Sequence, residues 1–287
     1  MMLGLSSTMW IVLAILLGVA LLFSCCGFKK FVWFMSIGYG LAVFGIGTAL
    51  LVLGYTGFGF VKTNGMSYPA LVLAILLILY GLRLSGFLIY REAKSVSYRK
   101  TLAAVSGKDE KKMPVFVKAT IWIFCAILYV LETYPVTYRV LSYDGTTSTT
   151  TMIVGFVGAG ISLIALIIET LADFQKNAAK KKNPHEFVST GLYRWVRCPN
   201  YAGEILFWTG MFISGCDLYH GDYLAWILSI LGYLCIIYVM LSGAKRLEGR
   251  QNKNYGKEES YQAYIAKTPL LFRCLPIKSL QSWKWIK

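Results

Sequence analysis

"YPALVLAILLILYGLRLSGFLIY", residues 68–90, is an apolar run of 23 residues with one charged side chain, Arg83, and the basic residue Arg91 directly after it. A helix rises about 1.5 Å per residue, so a helix of this length can cross the roughly 30 Å hydrocarbon core of a bilayer. The stretch therefore predicts a transmembrane helix whose basic end lies at a membrane surface.

The composition of the whole chain favours the same class of protein. Of its 287 residues 56% are hydrophobic and only 15% are charged, and the mean hydropathy is +0.57. Soluble domains are about 25% charged, so the chain is predicted to be an integral membrane protein. The net charge of +15 does not indicate nucleic-acid binding, because the basic residues lie at helix ends. Seven cysteines without a CxxC pair, beside only two histidines, do not indicate a zinc site.

Further apolar stretches of similar length predict the remaining helices. Together the spans lie near 8–26, 31–53, 68–90, 115–131, 151–171, 201–216 and 223–241. We therefore predict an all-α polytopic membrane protein with about seven transmembrane helices, forming a single transmembrane domain over residues 1–287. The first span has no basic segment before it and no small-residue cleavage pattern, so we expect a retained helix and not a signal peptide.

The distribution of lysine and arginine predicts the orientation of the chain. The segments 29–30, 91–118, 172–200 and 242–287 hold 26 of the 29 basic residues. The alternate segments 54–67, 132–150 and 217–222 hold only Lys62 and Arg139. Because cytoplasmic loops are enriched in basic residues, we expect the N-terminus outside and the C-terminus in the cytoplasm, in a bacterial inner membrane or its equivalent.

Charged side chains inside these spans are the candidates for function, because ionisable groups in a membrane are expensive and often functional. Arg83 and Glu204 are each predicted roughly 10–12 Å from the cytoplasmic edge, judged from the helical rise. Glu169 and Asp173 are four residues apart and share a helix face at the same end. One polar pocket open to the cytoplasm would explain all four, whereas the alternative is a purely structural Arg83–Glu204 pair. Tyr80, three residues before Arg83, would lie in the same pocket.

Basic residues from several cytoplasmic loops lie beside this predicted pocket. They are Lys180, Lys181, Lys182, Arg194, Arg197, Lys245, Arg246 and Arg250. Such side chains can bind the phosphates of a nucleotide cofactor or, alternatively, anionic lipid headgroups. Asn200 can serve as a helix N-cap or as an amide ligand for the cofactor.

Two further motifs are not predicted to have a catalytic or binding function. The glycines of "GFVGAG" (155–160) lie inside an apolar span without a preceding strand, which favours close helix packing over nucleotide binding. The threonine-rich stretch "YDGTTSTTT" (143–151) is typical of a turn leading into the next helix.

The stretch "GLYRWVRCPNYAGEILFW" (191–208) resembles the C-terminal signature of the steroid 5-alpha-reductase superfamily. This superfamily includes sterol delta-14 reductases and isoprenylcysteine carboxyl methyltransferases. The stretch is similar to the bacterial reductase-like pattern G-L-x-x-x-x-R-H-P-N-Y-x-G-E. The resemblance extends over roughly 165–276, which it implies to be the cofactor region, and more weakly back to Tyr80 in the N-terminal helices (8–110), which would form the substrate side.

The resemblance implies an NADPH-dependent reductase of a conjugated C=C bond in a lipophilic enone, a 3-oxo-4-ene steroid or a similar lipid. Tyr80 would polarise the substrate carbonyl with the support of Arg83, both as catalytic residues. The residues implied to bind NADPH are Glu169, Asp173, Lys180, Arg194, Arg197, Asn200, Tyr201, Glu204 and Arg246. We expect a monomer that takes its substrate from the bilayer and has membrane lipids as its other partners.

The chain also departs from the pattern of the superfamily. Vertebrate steroid reductases carry a glutamate in the second helix, whereas 31–53 contains no acidic residue. Cys198 stands where the pattern has histidine, and the histidine expected in the last cytoplasmic helix is absent. The alternative function is an S-adenosylmethionine-dependent membrane methyltransferase of the isoprenylcysteine carboxyl methyltransferase type. A non-catalytic membrane binding protein is the third possibility.

Overall fold

The structure is a computed structural model that describes residues 7–61, 63–96, 98–99, 102, 113–275 and 277–286. Lys62 and about half of the basic segment 91–118 lie outside these described residues. Within them the secondary structure is helical, without a strand. The prediction of an all-α fold is therefore confirmed.

The α-helices follow one another along the chain with short connections. They are α1 (Ser7–Ser24), α2 (Ile37–Thr56), α3 (Tyr68–Lys94), α4 (Val115–Leu141), α5 (Thr149–Lys182), α6 (Pro199–Ile213), α7 (Tyr223–Tyr255) and α8 (Glu259–Lys267). Short 3-10 segments cover Cys25–Phe28, Phe31–Met35, Gly57–Gly59 and Gly191–Arg194. Pro69 opens α3, where its missing N–H leaves no hydrogen bond unmade.

Six helices in the described part of the chain are long and apolar enough to cross a membrane. They correspond to α1 to α5 and α7, so the chain is a multi-pass integral membrane protein. The predicted span at 201–216 differs, because α6 has only 15 residues. At about 1.5 Å per residue α6 is about 22 Å long, which is shorter than a bilayer core.

Helix α4 also differs from its prediction, because it continues ten residues beyond the expected end at 131 and reaches Leu141. The segment 132–150 was predicted to lie outside the membrane, because it is poor in basic residues and alternates with the basic segments. Instead, Glu132 and Arg139 are part of the helix and are buried, with 4% and 2% of their surfaces exposed. Pro135 is accommodated inside the same helix.

The chain divides into two compact units, which are described separately. The first unit comprises residues 1–159 and 211–233, and the second comprises 160–210 and 234–287. The predicted division into a substrate side at 8–110 and a cofactor region at 165–276 stays a prediction.

In the first unit, α2 and α3 approach closely because glycine lies at their contact. A Cβ atom on Gly81 would lie 2.3 Å from the carbonyl oxygen of Gly40 and 2.5 Å from the backbone nitrogen of Phe44. The Ser85 hydroxyl, on the same face of α3, donates to the Ile37 carbonyl at 2.9 Å. Small residues at a membrane helix contact allow the backbones to pack and to hydrogen-bond across the interface.

The first unit also contains a buried cation, Arg139, which joins three segments. Its Nε donates to the Ser214 carbonyl at 2.7 Å, Nη2 donates to Asp217 Oδ1 at 2.7 Å, and Nη1 donates to the Thr151 carbonyl at 3.1 Å. These bonds link α4 to the first turn of α5 and to the turn after α6. A buried charge is tolerated only when it is paired and hydrogen-bonded, and Arg139 meets this requirement.

In the second unit, the start of α6 packs on the C-terminal segment. The backbone N–H groups of Arg197 and Cys198 donate to the carbonyls of Pro269 and Leu270, each at 2.9 Å. An apolar cluster surrounds this pairing, and its buried members are Cys198, Ile205, Ala244, Leu270, Leu271, Leu280 and Ile286. The segment after α8 is therefore part of the core of this unit.

Two glycines of the "GFVGAG" stretch provide a test of helix packing. A Cβ atom on Gly155 would lie 2.5 Å from Pro69 Cβ and 2.9 Å from Arg139 Nη1, whereas a Cβ on Gly160 would have no neighbour within 4 Å. We expect Gly155→Ala to lower the free energy of unfolding by about 1–3 kcal/mol through overpacking. Gly160→Ala should leave it unchanged or raise it by up to about 1 kcal/mol, because alanine is the better helix former. Thermal unfolding of the two variants in the same detergent measures the difference, and equal midpoints would contradict the packing described.

Candidate functional site

The predicted substrate-side residues lie in the first unit, on α3. Tyr80 is completely buried, and Arg83 is half-buried one turn later. The Tyr80 ring packs edge-on against Tyr39, with ring centroids 6.0 Å apart, and Tyr39 packs against Tyr129 at 5.0 Å. The Tyr129 hydroxyl donates to the Phe34 carbonyl at 2.5 Å. Tyr80 is thus part of a buried tyrosine cluster that joins α2, α3 and α4.

A buried acid in this unit, Glu132, is not among the predicted site residues. It lies three residues after Tyr129 and therefore on the same face of α4. With 4% of its surface exposed, it is among the most buried carboxylates of the described residues. The signal was present in the sequence as the single acidic residue within 115–141. The predicted span 115–131 ends one residue before it, which is why Glu132 was not predicted to lie in the membrane.

Two predicted cofactor residues, Glu169 and Glu204, are buried in the second unit. Their exposed fractions are 4% and 5%. Gly203 brings α6 against α5 at this level, because a Cβ at this position would lie 3.0 Å from Glu169 Cβ. The indole Nε1 of Trp208 donates to Glu204 Oε1 at 3.0 Å, which fixes that carboxylate. The structure therefore brings Glu169 and Glu204 to adjoining helix faces, and their binding of a cofactor stays a prediction.

Arg197 is the most enclosed of the predicted phosphate-binding residues. Its Nη2 lies 3.0 Å from Glu248 Oε1, and the two side chains are only 1% and 2% exposed. Nη2 also donates to the Lys278 carbonyl, and the other oxygen of Glu248 accepts from the Leu280 N–H at 3.0 Å. The Nε and Nη1 atoms are buried and make no hydrogen bond to any residue that the structure describes. Glu248, which the reductase interpretation had not used, thus neutralises Arg197.

Asn200 and Tyr201 lie in the first turn of α6. The Oδ1 atom of Asn200 is buried and accepts no hydrogen bond from the described part of the chain, so this side chain does not cap the helix. Tyr201 packs on Gly243 of α7, where an added Cβ would lie 2.7 Å from its ring. Asp173 and Arg246 lie within electrostatic reach of Tyr201. These four predicted residues therefore lie in one region of the second unit.

The more exposed basic residues have different surroundings. Lys180 donates to the carbonyls of Pro184 and Glu186 and to the Tyr255 hydroxyl, the last at 2.8 Å. These three bonds use all the N–H groups of its ammonium. Arg194 and Arg246 are exposed. That these cations bind phosphate stays a prediction.

Cys198 occupies the position that is histidine in the reductase-like pattern, and its surroundings are apolar. The side chain is fully buried among Ile205, Ala244 and Leu270. Burial raises the pKa of its thiol to about 11. Cys198 is therefore a packing residue of the second unit and not a reactive thiol.

A family model described as "Protein of unknown function (DUF1295)" matches residues 31–268, which is most of the chain. The chain belongs to the DUF1295 family. This family is associated with steroid 5-alpha-reductase-like proteins, which agrees with the resemblance at the level of the superfamily. Comparisons with curated proteins and with solved structures found no match. The matched range of this DUF1295 protein contains all the predicted site residues but ends before the segment that contacts Arg197 through Lys278.

The Arg197–Glu248 pair of the DUF1295 chain can be tested by breaking it on one side. Removing one partner of a buried ion pair leaves an uncompensated charge, so Glu248→Leu should lower the free energy of unfolding by about 3–5 kcal/mol. The double variant Arg197→Met/Glu248→Leu removes both charges and should recover most of this loss. Chemical denaturation in detergent measures both. Equal stabilities of the single and double variants would contradict the pairing.

The state of Cys198 can be tested by alkylation. With a pKa of about 11, only about one thiol in a thousand is ionised at pH 8, and the side chain is fully buried. We expect iodoacetamide to label the exposed Cys274 readily and to label Cys198 only after unfolding. Mass spectrometry of the digested protein measures both sites in one sample. Equal labelling rates in the folded protein would contradict the burial of Cys198.

Proposed function

We propose that this DUF1295 protein is a membrane-embedded, NADPH-dependent reductase of a conjugated C=C bond in a lipophilic enone. The observation that carries the proposal is the group of buried polar atoms in the second unit. Asn200 Oδ1 and two nitrogens of Arg197 are buried without a hydrogen-bond partner among the described residues. Leaving such atoms unpaired costs free energy, which favours a ligand with complementary donors and acceptors.

A nicotinamide dinucleotide has the groups that these residues require. Its carboxamide can donate to Asn200 Oδ1, and its phosphates can accept from Arg197, with Arg194, Arg246 and Lys180 as further cations. By resemblance, Glu169 and Asp173 would hold the nicotinamide and its ribose. Tyr201 and Glu204 would complete the site. When bound, the cofactor supplies the hydride that adds to the β carbon of the enone.

Tyr80 is proposed to act on the other end of the conjugated system. Its hydroxyl would donate a hydrogen bond to the carbonyl oxygen and stabilise the enolate that forms there as the β carbon gains the hydride. The positive charge of Arg83, one turn away on α3, would stabilise the same negative charge. A proton from water then adds to the α carbon, which converts the enolate to the saturated ketone. Complete burial of Tyr80 excludes water, which strengthens these interactions.

The membrane environment suits a substrate of this kind. Leu79 and Leu82, which flank Tyr80 on α3, are 48% and 49% exposed and would face lipid. A steroid or another apolar enone dissolved in the bilayer could therefore approach from the side. We also propose that the cofactor site faces the cytoplasm, since the segments that supply its cations are the most basic of the chain.

The proposal is tested with protein in lipid nanodiscs, by calorimetry with NADPH and by NADPH oxidation in the presence of 3-oxo-4-ene steroids and polyprenyl enones. We expect Tyr80→Phe to lower kcat by about 10²–10⁴-fold without changing the Kd for NADPH, since it removes only the proton donor. Asn200→Ala should raise that Kd by about tenfold, because one hydrogen bond is lost. Tyr39→Phe is the control, since it changes a neighbouring ring that the proposal does not use.

Three outcomes distinguish the possible functions. NADPH binding with enone-dependent oxidation supports the proposal. Heat of binding with S-adenosylmethionine but none with NADPH would replace it by the methyltransferase function. Binding of neither cofactor would leave a non-catalytic binding protein, for which Tyr80→Phe changes no measurable activity.

A further inference from the structure

A polar cavity of about 290 Å³ lies in the first unit, in the part formed by the end of α4, the start of α5 and the turn after α6. Seven of its eleven lining residues carry a hydroxyl group. Most of these belong to the threonine-rich stretch 143–151, which the sequence predicts only as a turn. None of the lining residues takes part in the proposed reductase site.

Arg139, which lines the cavity, is paired with a carboxylate. Arg139, 2% exposed, lines the cavity, and its Nη2 forms an ion pair with Asp217 Oδ1 at 2.7 Å. Four of its five N–H groups donate to Ser214, Asp217 and Thr151. One N–H of this lining residue therefore has no acceptor among the described residues.

A second charged residue, Asp144, lines the wall. Its Oδ1 accepts from the Thr146 N–H at 2.9 Å and from the Thr146 hydroxyl at 2.8 Å. These bonds lower the pKa of Asp144, so it is ionised at neutral pH. Asp144 would repel an anion and accepts hydrogen bonds, whereas the remaining N–H of Arg139 can only donate one. A neutral ligand whose groups both donate and accept can bind to both side chains.

Several hydroxyl groups of the cavity lining are unbonded as far as the described residues are concerned. Those of Ser67, Ser142 and Thr147 form no hydrogen bond with any described residue. Ser67 is moreover 95% buried, with an exposed fraction of 5%. A hydroxyl can both donate and accept, so these groups offer a ligand both kinds of partner.

We propose that this cavity binds a neutral polyhydroxy group, either a free sugar or the glycosyl headgroup of a lipid. The hydroxyls of such a group would donate to Asp144 and accept from Arg139 without adding a charge to the site. They would exchange hydrogen bonds with Ser67, Ser142 and Thr147. The volume is at the lower limit of small-molecule sites, which begin at about 300 Å³, and so suits a single sugar ring.

The threonine-rich stretch supplies matched variants for the test. Ser142→Ala/Thr147→Val removes two hydroxyls from the wall, whereas Thr149→Val/Thr150→Val removes two hydroxyls from the same stretch that do not line the cavity. Binding is measured on the full chain in phosphatidylcholine nanodiscs, by saturation-transfer NMR with glucose. In a second set of nanodiscs, monoglucosyl diacylglycerol replaces part of the lipid, and its co-purification with the protein is quantified.

We expect saturable binding of glucose or retention of the glucolipid, and the arm that responds identifies the source of the sugar. The wall variant should weaken binding by about tenfold, whereas the control variant should bind as the natural protein does. Equal binding by both variants, or no saturable binding of either probe, would overturn the proposal. Binding of inorganic phosphate in place of the sugars would overturn it too and would indicate an anion site. NADPH oxidation does not enter these measurements, so the reductase proposal can fail without affecting them.

Discussion

The cost of burying charge in apolar surroundings is the constraint on which this structure depends. In the described part of the chain, the well-buried arginines that form an ion pair with a carboxylate also donate to backbone carbonyls. Arg139 pairs with Asp217 in the first unit, and Arg197 pairs with Glu248 in the second. In both cases the partners come from distant parts of the sequence. The ion pairs therefore fix which segments meet, because any other arrangement would leave a buried charge unmatched.

The helices also need space to pack closely, and glycine provides it because it has no side chain. Gly81 allows α3 to contact α2, and Gly203 allows α6 to contact α5 beside Glu169. Without a hydrophobic driving force between membrane helices, close packing and hydrogen bonds hold them together. The second contact bears on the proposed site, since it brings Glu169 and Glu204 to adjoining helix faces.

Much of the architecture could be predicted because its signals are local. Hydropathy predicted the long helices, but it failed at two places. Helix α4 continues through Glu132 and Arg139, and the buried charge of Arg139 is compensated by Asp217 and by the carbonyls of Ser214 and Thr151. Helix α6 is shorter than predicted. A run of apolar residues indicates burial, but it does not distinguish a membrane-spanning helix from a helix that is buried within a unit.

The amino-acid sequence by itself determined the all-helical membrane fold, the family and the candidate residues, since apolar length and short motifs are properties of neighbouring residues. Only the tertiary structure decided the partners of those residues. It showed that Glu248 forms an ion pair with Arg197. It also showed that Asn200 Oδ1 is buried without capping α6 and that Cys198 packs in an apolar cluster. The physical reason is that pairing, burial and hydrogen bonding depend on segments that are far apart in the chain and meet only after folding.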